Sequence, residues 1–142
     1  MQRLGSIALI VPGYDEAIAF FVNTLGFQLL EDIDQGRKRW VRVRPPSGGA
    51  ALVLERAESP DQMDLIGRQF AGRVGLFLET DQFLRDYEAM RSAGITFEEE
   101  PRTEPYGRVA VWRDPWSNRW DLLEPTGSAA SVREQIRHNG DD

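Results

Sequence analysis

Apolar positions in this chain fall into short runs and helical stripes, and the same order of runs and stripes occurs twice. Residues 7–11, Ile-Ala-Leu-Ile-Val, form an apolar run closed by Pro12-Gly13, the pattern of a buried strand entering a turn. Asp15 then stands where a helix cap belongs. Ala17, Phe20, Phe21 and Leu25 recur at helical spacing, and Gly26 ends the stripe, which predicts a helix over 15–25. A return strand follows over 27–31. Residues 39–44 alternate Val with Trp and Arg, and Pro45-Pro46-Ser47-Gly48-Gly49 turns them into a last strand over 50–54. From residue 74 the order starts again. Val74 begins a strand, Thr80-Asp81 caps a helix predicted over 82–93, Gly94 closes it, and Asp114-Pro115-Trp116-Ser117-Asn118 makes the final hairpin.

The echo is close enough to number. Leu9 maps to Leu76 and Phe20 to Tyr87 at a spacing of 67, Gly26 maps to Gly94 at 68, and Trp40-Val-Arg-Val-Arg-Pro-Pro maps to Val109-Ala-Val-Trp-Arg-Asp-Pro near 69. Two copies of a long period indicate a duplicated β-α-β-β-β unit, not a solenoid, which needs three or more stacked repeats. The expected organisation is one domain over 1–142. It holds a first module at 4–57, a linker at 58–72 with about one helical turn, a second module at 73–125 and a tail at 126–142, here expected as a short helix or a frayed end. The functional site is expected where the two copies meet.

Charge narrows the partners. A formal net charge of −6 opposes a nucleic-acid ligand, whose binding needs many cations against phosphates. Neither a long apolar span nor a signal-peptide run occurs, so the expectation is a cytoplasmic protein with no membrane partner. The absence of Cys removes thiolate and disulfide chemistry. Arg37, Lys38, Arg39, Arg42 and Arg44 cluster in one strand region, which fits a solvated edge strand blunted by charge or a small anionic ligand. The one histidine, His138, falls in the tail, which leaves neither a Ser-His-Asp triad nor a two-His-one-carboxylate iron site.

The motifs Val11-Pro-Gly-Tyr-Asp-Glu-Ala-Ile-Ala-Phe-Phe with Leu25-Gly26-Phe27, and Arg113-Asp-Pro-Trp-Ser-Asn-Arg-Trp-Asp-Leu-Leu-Glu-Pro, resemble those of the vicinal-oxygen-chelate superfamily of glyoxalases, bleomycin-resistance proteins and extradiol dioxygenases. The resemblance runs from about Leu4 to Pro125 and implies an α+β fold. Two tandem βαβββ modules would form a curved, partly closed mixed sheet with helices on its convex side and a ligand on its concave side, in a homodimer. Enzymes of that family hold a divalent metal with residues from the first and last strand of each module. Carried over, those positions are Ser6, Arg73, Asp121, and either Leu52 or Val53. One carboxylate among them does not make the three or four donors that Zn, Ni or Fe requires. The expectation is therefore no metal and no cofactor, with Arg73 paired to Asp121 where the cation would sit.

Strand alternation then divides the residues between two faces. It sends Ser6, Ala8 and Ile10, then Arg73, Gly75, Phe77 and Glu79, then Asp121 and Leu123, to the concave side. Val109 and Val111 are expected on the helix and Trp112 in the cavity, with Arg102 and Tyr106 at its mouth on a Pro-braced loop over 100–107. The expected ligand-binding set is Arg73, Phe77, Glu79, Arg102, Tyr106, Trp112 and Asp121, an aromatic wall with a few polar groups. The functional expectation is a metal-free small-molecule-binding protein. The alternative is an enzyme of the same superfamily: a metal-dependent lyase, isomerase or dioxygenase with non-standard ligands, an all-oxygen metal site of Asp121 with Glu79 or Glu100, or a metal-free enzyme with Glu79 or Asp121 as base. A ligand-free structural or regulatory dimer is the third reading.

Overall fold

A computed structural model describes residues 1–127. The expectations for the tail beyond Gly127, His138 included, lie outside the described residues. The chain divides into two compact units, Met1–Ala71 and Gly72–Asp142, so the linker belongs with the first copy. Both are α+β.

The first unit carries a four-stranded sheet in the order β1-β4-β3-β2, from β1 (Ser6–Val11), β2 (Gln28–Asp34), β3 (Arg39–Arg44) and β4 (Ala51–Arg56). β1 runs parallel to β4, and the other pairs are antiparallel. The first helical segment starts as α1 (Tyr14–Ile18) and widens into a π-helical stretch over Ala19–Thr24, with Phe20 and Phe21 both buried. Its cap is Gly13, not Asp15. Asp15 lies in the first turn, and its Oδ1 takes a hydrogen bond from Arg39 Nη1 at 2.8 Å instead. The apolar side of the sheet, Leu9, Val11, Val41, Val43 and Leu54, is fully buried.

The linker forms α2 (Pro60–Asp64), capped by the Ser59 hydroxyl, which accepts from Gln62 N at 3.2 Å. Gln69 then lies along the free edge of β1, donating to the Ala8 carbonyl at 2.8 Å and accepting from Ile10 N at 2.9 Å. Its amide satisfies backbone groups that an edge strand otherwise leaves unpaired.

The second unit repeats the topology in the order β5-β9-β8-β6, from β5 (Val74–Glu79), β6 (Thr96–Phe97), β8 (Gly107–Arg113) and β9 (Arg119–Pro125). β5 is parallel to β9. An extra strand, β7 (Arg102–Glu104), pairs with β8, so the expected loop over 100–107 is partly sheet. Helix α3 (Phe83–Ser92) begins with two aids: Thr80 Oγ1 accepts from Gln82 N at 2.9 Å, and Glu124 Oε1 accepts from Phe83 N at 3.0 Å. Gly26 and Gly94 end the helical segments of their units at φ 83° and 90°, where a side chain is strained.

The turn before β9 is held by a buried acid. Asp114 accepts from the backbone N–H groups of Trp116 and Asn118, each at 3.0 Å, from Asn118 Nδ2 at 2.9 Å and from Trp120 Nε1 at 3.1 Å.

Candidate functional site

Register decides which residues share a face of each sheet, because directly paired residues project to the same side. In the second unit Glu124 bonds the start of α3, so Trp120, Leu122 and Glu124 mark the helix side of β9. Arg119, Asp121 and Leu123 mark the open side. Across β8, Val111 pairs with Asp121 and Val109 with Leu123, while Trp112 pairs with Trp120. Across β5, Phe77 pairs with Asp121 and Glu79 with Leu123. Arg102 on β7 pairs with Val109.

The open face of the second sheet, the one that carries no helix, therefore gathers Phe77, Glu79, Arg102, Val109, Val111, Asp121 and Leu123, with Phe77 exposed and Val109, Val111 and Asp121 buried. Phe77 is 59% exposed, although it is a large aromatic on a central strand. Asp121, its register partner, is 6% exposed. Its Oδ1 is sealed from solvent and has no hydrogen-bond partner. Leaving such a group unsatisfied costs about 1–3 kcal/mol. Burial pushes the Asp121 carboxyl above the usual carboxylate range, against the pull of Arg102 and Arg119, and Glu99 adds to the rise. Arg102 forms its ion pairs elsewhere. The Tyr106 hydroxyl, Glu104 and Glu99 hold its charge, with Arg102 Nη1 at 2.5 Å from Glu104 Oε1 and Nε at 3.1 Å from Glu99 Oε1.

Three expectations are corrected here. Trp112 does not face the cavity: it lies on the helix side, 0% exposed and stacked on Trp120 at 4.7 Å between ring centroids, while Val109 and Val111 take the open face. Arg73 does not pair with Asp121. A register shift between Val74 and Leu76 breaks the alternation that would align Arg73 with Phe77, and among the described residues no hydrogen bond or ion pair joins Arg73 to Asp121. Arg102 stands on a strand, and the exposed Tyr106 closes the β7–β8 turn beside it. Phe77, Glu79 and Asp121 share a face of the sheet, and Arg102 joins that side through its pairing with Val109.

In the first unit the same reasoning places Ser6, Ala8, Val53, Arg42 and Trp40 on the open face. Arg42 pairs with Val53 as Val111, its counterpart at a spacing of 69, pairs with Asp121, so Val53, not Leu52, is the counterpart of Asp121 across the β3–β4 and β8–β9 pairs. Glu31 accepts from both Trp40 Nε1 and Arg42 Nη2, and Arg42 Nη1 reaches Ser6 Oγ at 3.1 Å. The Arg42 and Trp40 bonds hold the Glu31 carboxyl below its ordinary value. The basic strand β3 thus lies between β4 and β2 and is not an edge. Arg39 is neutralised by Asp32 and Asp15, and Arg42 by Glu31. Sequence reasoning missed Glu31, on the strand beside Arg42, and Glu99, three residues before Arg102.

The four positions where the family's enzymes carry metal ligands hold a hydroxyl bonded to Arg42, an arginine, a valine and one acid. Among the described residues no group of three His, Cys, Asp or Glu side chains comes together to bind a metal, by way of Glu79 and Glu100 or otherwise. This donor set does not fit a divalent cation of the zinc, nickel or iron kind.

Comparison with known proteins agrees with the fold. The family model described as Glyoxalase/Bleomycin resistance protein/Dioxygenase superfamily matches residues 3–122. An uncharacterized protein of Shewanella frigidimarina (strain NCIMB 400) is 52% identical over 126 residues, which cover 87% of this chain and 93% of the relative. The crystal structure of UcmS2 superposes with a TM-score of 0.75 at 31% identity, covering 87% of this chain and 98% of that one. TnmS3, an antibiotic binding protein from Streptomyces sp. CB03234, superposes with a TM-score of 0.72 at 28% identity, covering 88% of this chain and 97% of that one. By matched length, topology and motif, this chain belongs to the glyoxalase/bleomycin resistance protein/dioxygenase superfamily.

Proposed function

We propose that the chain is a metal-free small-molecule-binding protein that sequesters a partly aromatic compound, and that it acts as a cytoplasmic homodimer. The observation that carries this reading is the open face of the second sheet, where the exposed ring of Phe77 lies in register with the buried, unpaired Asp121. An apolar platform with one convergent polar group is the make-up of a ligand site. Similarity to an antibiotic binding protein supports the same class. Among the described residues no helix is long and apolar enough to cross a membrane.

Three measurements test the proposal. Metal analysis of protein purified without chelator is expected to find no stoichiometric Ni, Zn, Fe or Mn, and a stoichiometric ion overturns the metal-free reading. An NMR screen of flat aromatic compounds is expected to shift the amides of Phe77 and Asp121. A screen that moves neither removes the site. Light scattering reads the dimer.

A second reading, a metal-free enzyme with Asp121 as general base, is favoured by the burial that raises the affinity of this carboxyl for a proton. Turnover of a bound compound that Asp121→Asn abolishes, with binding retained, selects it.

A further inference from the structure

We infer that Asp121 selects the ligand by a hydrogen-bond donor: the compound bound on this face carries a hydroxyl, amine or amide N–H on a flat apolar body, and that donor meets the Asp121 carboxyl beside Phe77. The inference rests on the small-molecule-binding reading and names the class of compound.

Three buried carboxyls in the second unit make the case. Asp114, Asp121 and Glu124 are all 6% exposed or less. Asp114 accepts four hydrogen bonds and ties its turn to Trp120. Glu124 accepts the first N–H of α3. Asp121 has no corresponding structural task, since its Oδ1 is sealed and unbonded. Nor does an ion pair account for it, because Arg102 is spent on Glu99 and Glu104, and Arg119 on Glu98.

The repeat supplies an internal control. Opposite Arg42, the counterpart of Val111, the first unit has Val53, so the fold accepts an aliphatic residue there. An acid kept where a valine serves, flanked in register by Phe77 and Val111, is explained by what it binds. A carboxylate accepts hydrogen bonds, so the complementary group is a donor. Its direct register neighbours are apolar, so the donor arrives on a body that covers Phe77 and Leu123. Reaching the sealed oxygen takes a small side-chain rotation of the kind binding sites commonly make.

The test uses naphthol and methoxynaphthalene, which differ only in whether the oxygen carries a hydrogen or a methyl group. Each is titrated by amide shifts into the full chain and into Asp121→Val, which copies the first unit's residue. Wild type is expected to bind naphthol about tenfold tighter, and Asp121→Val to bind both alike. Without ligand, Asp121→Val is expected to melt about 3 °C higher, because it removes an unsatisfied group.

Equal affinity of the two compounds for wild type, with shifts on Phe77 and Asp121, overturns the donor inference and leaves the binding face standing. Binding of neither compound overturns the face and the inference together. An Asp121→Val protein that melts lower or fails to fold also overturns the inference, since the acid then has a structural role.

Discussion

In the first unit Arg42 pairs in register with Val53, a cation opposite an aliphatic side chain. In the second unit the equivalent pair is Val111 and Asp121, an aliphatic side chain opposite an acid. The same backbone thus carries opposite charge on its open face, and the two units balance it differently. Arg42 is answered within its own sheet by Glu31 and Ser6. Asp121 is left without a bond. The cores differ as well. Val43 and Leu52 form the register pair on the helix side of the first sheet, and Trp112 and Trp120 form it in the second. Duplication preserved the topology, while the side chains settled which copy answers this charge within its own sheet and which leaves a carboxyl oxygen unbonded.

The core contrast has the largest expected effect. Trp112→Ala should cost about 3–5 kcal/mol in urea unfolding, and Val43→Ala about 2 kcal/mol at the equivalent position. If Trp112→Ala instead changes ligand affinity and leaves stability alone, Trp112 faces the ligand and the assignment of faces fails.

Next comes a backbone contact peculiar to the second unit. Gly107 sits at φ 151°, and a Cβ there would lie 2.3 Å from the Glu124 carbonyl oxygen. The obstacle is backbone, so Gly107→Ala should cost about 2–3 kcal/mol. The corresponding position of the first unit is Lys38, so Lys38→Ala should be close to neutral. Equal costs for the two changes would erase this difference between the copies.

The smallest effect is in pH. Asp121 binds its proton more tightly folded than unfolded, so the folded chain takes up a proton between its ordinary value of 3.8 and the raised folded value. Its contribution to stability is then greatest below 3.8 and declines as pH rises through that window. Glu31 has the opposite sign: held low by Arg42 and Trp40, it contributes above its ordinary value of 4.5 and loses that contribution as pH falls through the lowered one. The stability gap between Asp121→Val and wild type should widen with rising pH and then level off. Glu31→Gln should be less stable than wild type at neutral pH and converge with it in acid. Urea midpoints collected across pH check both trends, and two curves of the same sign would contradict the comparison.

Much of the fold could be read locally. Pro12-Gly13, Gly26 and Gly94 mark where the elements change, and the spacing from Leu9 to Leu76 reveals the duplication before any contact is known. The π-helical widening at Ala19–Thr24 and the extra strand Arg102–Glu104 left no local signal that periodicity could catch. The shared face of Phe77 and Asp121 followed from alternation along β5 beyond Leu76 and along β9. Arg73 and Trp112 did not, the first because a register shift separates it from Phe77, the second because nothing within 107–113 says which side of β8 faces the helix.

By itself, then, the amino-acid order determined two βαβββ copies, a chain without thiols, and a single acid left from the family's metal positions, because caps, turns and apolar periods act over a few neighbouring residues. Tertiary structure alone decided that Trp112 turns inward, that Arg42 is consumed by Glu31, and that Asp121 stays unbonded. Those outcomes depend on the pairing of strands remote in the chain, where a shift of one residue moves a side chain to the opposite face.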